Sequence, residues 1–474
     1  MKFFKSWFLI ITLLLSPMLN LKSHAQSMKE EIQELKRMIE QNQRENEELR
    51  NRIQNLESQK ATDDKKVEEL YVKQQEHDTE LDGLLKLWKS LRLGFYLDTT
   101  YQAAFHQPND QNILLRSLYP EQNQFSINAF TITLAKDPVF SDSVWDLIGF
   151  RADILFGEQA PLIISQGLQN DVVNPYQMFA HVIAPVGNGI DFYAGRFVTL
   201  AGYEVIEARN DPNISRSILF GFAIPFTHTG IRAHYGAGPF NFYLGMNNGW
   251  DTVKNDDGNF TLESQISVGV SEIVPGVTDA SLSVTGYFGK ESQDPTENNP
   301  TEFDDWRNLI SIVGSVTLFE RLTLVANPDF GWQQGITSAD LDLNDQQAFW
   351  WGIAGYAIVD LYKDVVDFTL RGEYFKDRNR FRTFANDSSA TKFFELTPTL
   401  AVRPFKGLAI GGKYLDNLEM RGEFRWDWAN EPYFLRKNGN LDKNQYELSA
   451  QLLYWFDTGE FEPEKTIESA PELE

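Results

Sequence analysis

From Leu91 onward, apolar and polar residues alternate one by one in run after run. Leu91, Leu93, Phe95, Leu97, Thr99, Tyr101, Ala103 and Phe105 form one set; Arg92, Gly94, Tyr96, Asp98, Thr100 and Gln102 form the other. A period of two puts the two sets on opposite faces of a β-strand. Ile148, Phe150, Ala152, Ile154 and Phe156 alternate in the same way with Arg151 and Asp153. So do Val366, Phe368, Leu370, Gly372 and Tyr374 with Asp367, Thr369, Arg371 and Glu373. The sharpest run sets Leu418, Met420, Gly422, Phe424, Trp426 and Trp428 against Glu419, Arg421, Glu423, Arg425 and Asp427. The pattern predicts sixteen strands, within a range of 14–18, near 91–106, 124–136, 143–156, 177–186, 189–198, 226–236, 239–248, 260–271, 279–289, 305–319, 321–334, 346–360, 364–377, 392–403, 407–428 and 444–456.

A strand with charges all along one face and aromatic residues along the other suits neither a dry sandwich core nor a solvated surface. A closed transmembrane antiparallel β-barrel satisfies both faces, with the apolar set toward lipid and the charged set toward a wet lumen. Closure also removes the unpaired backbone edge that lipid cannot solvate. The connections fit a barrel. Pro275-Gly276, Glu320-Arg321, Tyr362-Lys363 and Phe405-Lys406-Gly407 read as tight turns. Gln107 to Asn123, Asn247 to Asn259, Lys290 to Asp304 and Trp428 to Asn444 read as long polar loops. Short turns are expected on the periplasmic side and long loops outside. The alternation of lengths is clear in the second half and weak between residues 157 and 225.

The first 88 residues follow other periods. Lys2 and Lys5 precede the apolar run Trp7 to Leu15, then Ser23-His24-Ala25, which predicts a signal peptide over 1–25 cleaved after Ala25. Residues 28–88 carry heptads within a predicted periplasmic coiled coil over 26–88. Ile32, Ile39, Asn46, Ile53, Lys60, Val67, Gln74, Leu81 and Trp88 occupy position a; Leu35, Asn42, Leu49, Leu56, Asp63, Leu70, His77 and Leu84 occupy position d. Ile at a with Leu at d and a buried Asn46 favours a parallel dimer, whereas transmembrane barrels of this size commonly form trimers, so the expected homo-oligomer is a dimer or a trimer. A helical hairpin folded at the Lys60/Asp63 interruption is the intramolecular alternative. The barrel is placed at 91–456. An acidic tail, Asp457 to Glu474, has a composition that predicts disorder.

Composition then narrows function. With 43 Lys+Arg against 67 Asp+Glu, the formal charge of −24 becomes −27 once Lys2, Lys5 and Lys22 leave with the signal. Such acidity argues against a nucleic-acid partner. The chain has no Cys, which excludes disulfides, thiolate metal sites and cysteine nucleophiles. No His-Glu-x-x-His or Gly-x-Ser-x-Gly motif occurs, and His181, His228 and His234 do not read as a metal or triad set, so neither an enzyme nor a cofactor is expected. His234 is expected in the lumen beside Arg232. Asp256-Asp257-Gly258 reads as a turn before it reads as a calcium site. Glu419 and Glu423, among arginines, read as a salt-bridged wall before they read as an acid/base pair.

Several short motifs carry a family resemblance: Gly195-Arg196-Phe197, Gly202-Tyr203-Glu204-Val205-Ile206, Ser215-Arg216-Ser217 and Pro225-Phe226-Thr227-His228-Thr229-Gly230. With Leu370-Arg371-Gly372-Glu373-Tyr374-Phe375 and Arg421-Gly422-Glu423-Phe424-Arg425-Trp426-Asp427, the chain resembles the β-barrel porins of the OmpL-like family over most of 91–456. The last strand, ending in Tyr454 and Phe456, resembles the signal that the outer-membrane assembly machinery recognises, except that the acidic tail follows it. The coiled-coil preface is similar to N-terminal extensions of some trimeric sugar porins. The resemblance implies a bacterial outer-membrane channel through which small hydrophilic solutes or ions diffuse passively.

Thr199 to Ile224 follows the fifth strand, where a sixteen-stranded porin places its inward constriction loop. The segment carries Glu204, Glu207, Arg209, Asp211 and Arg216, expected opposite wall charges such as Arg196 and Arg232, so that a transverse field would select solutes. Arg371, Glu373, Glu419, Arg421, Glu423 and Arg425 are further lumen candidates. Its alternative is that the segment caps the barrel outside, or that its charges pair with one another. Two other functions are weighed against the channel. One is a structural anchor tethering the envelope through the coiled coil; the other is an outer-membrane hydrolase, for which the sequence carries no signal.

Overall fold

The computed structural model describes residues 88–461, apart from 106, 108–111, 164, 169–171, 256–257, 294–300, 384–387 and 409–413. The chain divides into two compact units at Trp88/Lys89, and the second is described here. The predicted signal, the heptads up to Leu87, Asp256-Asp257 and the tail beyond residue 461 lie outside the described residues.

The strands are β1 (Arg92–Ala104), β2 (Phe125–Lys136), β3 (Ile148–Phe156), β4 (Val173–Ala184), β5 (Ile190–Val198), β6 (Thr227–Ala237), β7 (Phe240–Asn247) and β8 (Thr261–Val274). They continue as β9 (Val277–Gln293), β10 (Phe303–Leu318), β11 (Leu322–Ser338), β12 (Leu343–Tyr362), β13 (Val366–Asp377), β14 (Lys392–Val402), β15 (Leu418–Ala429), the short pair β16 (Phe434–Leu435) and β17 (Leu441–Asp442), and β18 (Asn444–Asp457). β1 to β15 and β18 each pair antiparallel with their neighbours in sequence, and β18 closes on β1 from Gly94↔Asp457 to Ala104↔Glu447. The result is a closed barrel of sixteen strands, with β16–β17 as a separate hairpin. Phe456 is sealed into the closing seam, its ring 5.5 Å from Phe95.

Burial reads out the alternation directly. Along β15, Phe424 and Trp426 are 40% and 38% exposed, while Arg425 and Asp427 between them are 1% and 0% exposed. The apolar set therefore points out and the ionic set points in, the reverse of a soluble core. Ile132, Ile231, Leu244, Ile266, Leu282, Ile353, Leu396 and Leu448 extend the exposed apolar surface around the cylinder. Among the described residues no helix is long and apolar enough to cross a membrane, so any crossing is made by strands.

Connection lengths alternate through the stretch where the sequence left this weak, the short turn 185–189 lying between the long connections 157–172 and 199–226, and the alternation breaks in the second half, at the brief connection 339–342 and the long one 403–417. Pro275-Gly276 makes the β8–β9 turn with Gly276 at φ 90°, where a Cβ would sit 2.7 Å from the Phe319 ring. Two expectations are corrected. The fifteenth strand starts at Leu418, not residue 407, so Phe405-Lys406-Gly407 belongs to a longer connection, 403–417, and not to a tight turn. The long loops are also not simply polar and external. Leu115, Leu118 and Tyr119 of the β1–β2 connection, and Tyr433 and Phe434 before β18, are buried in one apolar cluster with wall residues such as Trp350 and Phe375. The lumen is thus largely filled at the long-connection end, not uniformly wet.

Candidate functional site

The connection between β5 and β6 explains most of the filling. Ala201, Ile206, Ala208, Ile214, Ile218, Leu219, Phe220, Ala223 and Ile224 are all buried. Too apolar to lie in water and lacking a period of two, the segment finds its burial inside the cylinder. It closes at its base through Thr199 N–H donating to Phe226 O at 3.0 Å. Between those residues it makes a 3₁₀ turn at Ala208–Asn210 and a π turn at Leu219–Ala223.

Its contacts trace a path across the bore. Leu200 N–H donates to the Tyr287 hydroxyl of β9 (2.9 Å), Gly202 N–H to Ser311 of β10 (3.0 Å) and Tyr203 N–H to Asn327 of β11 (3.0 Å). The chain then reaches the opposite wall, where Ala208 N–H donates to Tyr96 of β1 (3.1 Å) and Glu207 accepts from Tyr176 of β4 (2.8 Å). On its return Asn213 donates to Thr399 of β14 (2.6 Å), and Trp350 of β12 donates to Ala223 O (3.1 Å).

Away from water, backbone groups that lack a ladder must find partners. The wall charges supply them. Glu423 accepts from the N–H groups of Ile214 (2.7 Å) and Ser215 (2.9 Å), and Glu373 from those of Ile218 (2.7 Å) and Leu219 (2.6 Å). Arg421 donates to Ala208 O (3.0 Å) and Asn213 O (3.2 Å), and Arg425 to Arg216 O (2.6 Å). Arg371 joins Glu204 of the segment (2.6 Å) to Glu395 of the wall (2.9 Å) and also donates to Ser215 O. Arg216 works within the segment, donating to the carbonyls of Val205 and Ile206 (2.8 Å each) and pairing with Asp211 at 3.0 Å. Arg209 pairs with Glu207 at 2.7 Å.

The candidates therefore divide. Glu204, Arg216, Arg371, Glu373, Arg421, Glu423 and Arg425 come together at one buried junction between segment and wall, with Glu207, Arg209 and Asp211 beside it. Glu419 lies toward the short-turn end, bonded to Arg421 and to Arg403 (2.8 Å). Two expectations about the wall are corrected. Arg232 faces the lumen, but its partner is the wall's own Glu263 (2.9 Å to Oε2), with its guanidinium 4.0 Å from the Phe197 ring centre. Arg196 bonds Asn174, Pro175 O, Ile163 O and Ser165, in β4 and the 157–172 connection, because it is one pleat out of phase with the lumen-facing residues of β5. Among the described residues only the Glu204–Arg371 ion pair matches the expected pattern of loop acid against wall base. Elsewhere wall acids hold backbone N–H pairs and wall arginines hold carbonyls.

Sequence reading missed Arg116. In the β1–β2 connection, it bridges Asp427 (2.5 Å) and Glu447 (2.6 Å), so a second inward piece is tied to β15 and β18. The apolar residues flanking it, Leu114 and Leu115, were the available signal. His181 and His234 share Asp191 (2.9 and 2.8 Å). Among the described residues no cluster of His, Asp or Glu is placed to hold a metal ion. Below the filled region, between the short turns, lies a cavity of about 530 Å³ lined in part by Arg321, Asp360, Asp367 and Arg403.

Charge balance at the junction follows from burial. Burial disfavours the Glu204 carboxylate, but Arg371 and Arg216 outweigh it and hold the group below the ordinary carboxylate range. For Asp211 burial prevails over the pull of Arg216, with Glu204 adding to the rise, and the carboxyl is pushed up to about 7.

The sequence between residues 90 and 456 matches a family profile described as "Putative beta-barrel porin-2, OmpL-like". The chain belongs to this family. It is an outer-membrane, porin-like channel family, so the place of this OmpL-like protein is the bacterial outer membrane. No curated protein matches the sequence. Similar solved structures include the outer membrane channel DcaP of Acinetobacter baumannii, at 13% identity over 77% of this chain and 97% of that one, with a TM-score of 0.47. An anion-selective porin from Comamonas acidovorans is 9% identical over 77% and 99% of the two chains (TM-score 0.47). Pseudomonas putida OprB is 11% identical over 78% and 95% (TM-score 0.47).

Proposed function

We propose that this barrel passes small hydrophilic solutes and ions by passive diffusion, and that the segment Thr199–Phe226 sets its aperture. The observation that carries this reading is the path of the segment: it crosses the lumen from β9–β11 to β1 and β4 and returns along β12–β15, so no solute can traverse that level without meeting it. The docked segment is a stopper more than a field-generating eyelet, because its charges are consumed by pairing. Passage then requires the segment to move or loosen. The first strand starts at the short-turn end, which supports placing residues 26–88 on the periplasmic side as the coiled coil the heptads suggest.

Deletion of residues 203–216 tests the reading in planar bilayers. Single-channel conductance should rise several-fold over the intact chain. An unchanged conductance would remove the segment from the constriction, and absence of any conductance in both proteins would overturn the channel itself.

A further inference from the structure

Where the inward segment meets the long-connection end, two arginines flank one tryptophan. The guanidinium of Arg307 (β10) lies 5.3 Å from the Trp250 ring centre and that of Arg382 (β13–β14 connection) lies 5.6 Å from it. Phe303 and Phe381 cover Arg307, at 4.7 and 5.6 Å, and Trp350 covers Arg382 at 5.5 Å. Aromatic faces hold guanidinium planes without using their N–H groups.

Arg307 donates through Nε to Gln333 (2.8 Å) and Arg382 through Nε to Phe222 O (2.6 Å), and among the described residues neither forms a salt bridge. Among the described residues no hydrogen bond engages the terminal nitrogens of either. Trp250 is 6% exposed and its indole N–H is buried without a partner. The neighbouring carboxylates are already engaged by backbone N–H groups: Glu291 by Trp250, Asp251 by Phe226 and Thr227, and Asp377 by Phe381, Arg382 and Thr383. The connection that bears Arg382 also carries Arg378 and Arg380.

We infer that Arg307, Arg382 and the Trp250 indole N–H form a binding site for a small oxyanion, the carboxylate or the tetrahedral oxyanion group of a solute, at the long-connection mouth of the lumen. Planar guanidinium forks match paired oxygens, and buried N–H donors without acceptors are costly until such a group arrives. The site deepens the channel reading by giving the anionic class of solute its first contact. Because Arg382 also donates to Phe222 O, an anion bound there would act on the inward segment as well.

Calorimetric titration of the detergent-solubilised full chain with sodium sulfate and, separately, sodium acetate tests the site without relying on conduction. The site requires saturable binding of at least one of the two at neutral pH, and the pair distinguishes a tetrahedral from a carboxylate preference. Arg382→Gln should weaken it by about tenfold, the loss of one charged donor pair. Trp250→Phe, which keeps a ring and removes the N–H, should weaken it several-fold and stands in if Arg382→Gln fails to fold. No saturable heat with either salt, or equal affinity in the wild type and the folded variant, overturns the proposal. Failure of the channel reading would show instead as lost conductance with anion binding intact.

Discussion

At the scale of single residues, the barrel uses charged side chains chiefly to satisfy backbone. Glu423 and Glu373 each receive two N–H groups from the inward segment, contacts worth about 1.5–3 kcal/mol apiece for charged acceptors. Glu423→Gln keeps the shape and removes the charge, so more frequent open events in single-channel recordings are expected, with little change in the barrel's resistance to heat. Arg371→Met strands Glu204 and Glu395 together, a loss of about 3–5 kcal/mol for an unpaired buried charge. It should open the lumen more than Glu423→Gln does. Asp211 gives a pH dependence. Its carboxyl titrates at about 7 in the docked segment, above the value of a solvated aspartate. The docked state therefore binds the extra proton, so docking is strongest well below pH 7 and weakens as pH rises through 7. Conductance should rise between pH 5 and pH 8, and Asp211→Asn should flatten that rise; an unchanged profile in the variant would assign the titration elsewhere. Individual candidates such as Glu204 and Arg371 were legible in the sequence as charges at strand and loop positions. Their partners were not, because pairing across a lumen depends on which strands face one another through a segment with no period of its own.

At the scale of elements, the strands were legible because their alternation is imposed twice, by the solvent outside and the contents inside. All sixteen predicted strands correspond to barrel strands, and the clear error, the early start of β15, has a physical cause. Leu408 and Tyr414 continue the apolar spacing through the 403–417 connection, so period alone cannot mark the boundary; Asp416-Asn417 just before Leu418 does. Loop direction was less legible. Polar residues in Gln107 to Asn123 suggested exposure, yet Arg116 between Leu115 and Ser117 is an inward anchor bound to Asp427 and Glu447. The outward face makes its own prediction. Phe424→Arg puts a charge on the exposed apolar surface of β15, at a cost of about 2–4 kcal/mol if it sits near the bilayer midplane. Folded yield in outer-membrane fractions, read by heat-dependent gel mobility, should fall. The same substitution at a soluble surface would cost almost nothing, so an unaffected yield contradicts the lipid-facing assignment.

For the molecule as a whole, an outward apolar surface and an ionic interior make sense only as a closed wall around enclosed material. Here that material is its own chain. The interior combines an apolar cluster with paired charges at the long-connection end and keeps an open cavity at the short-turn end. This asymmetry is the arrangement that the proposed stopper requires. The absence of Cys from the sequence makes the stopper directly measurable. Asn213 of the segment touches Thr399 of the wall, so cysteines at 213 and 399 in the assembled barrel should form an intrachain disulfide in high yield under mild oxidation. The docked segment requires that yield, together with conductance held at its low level until reductant is added. Failure of the two cysteines to join in the folded, membrane-embedded protein would place the segment outside the lumen and contradict the account.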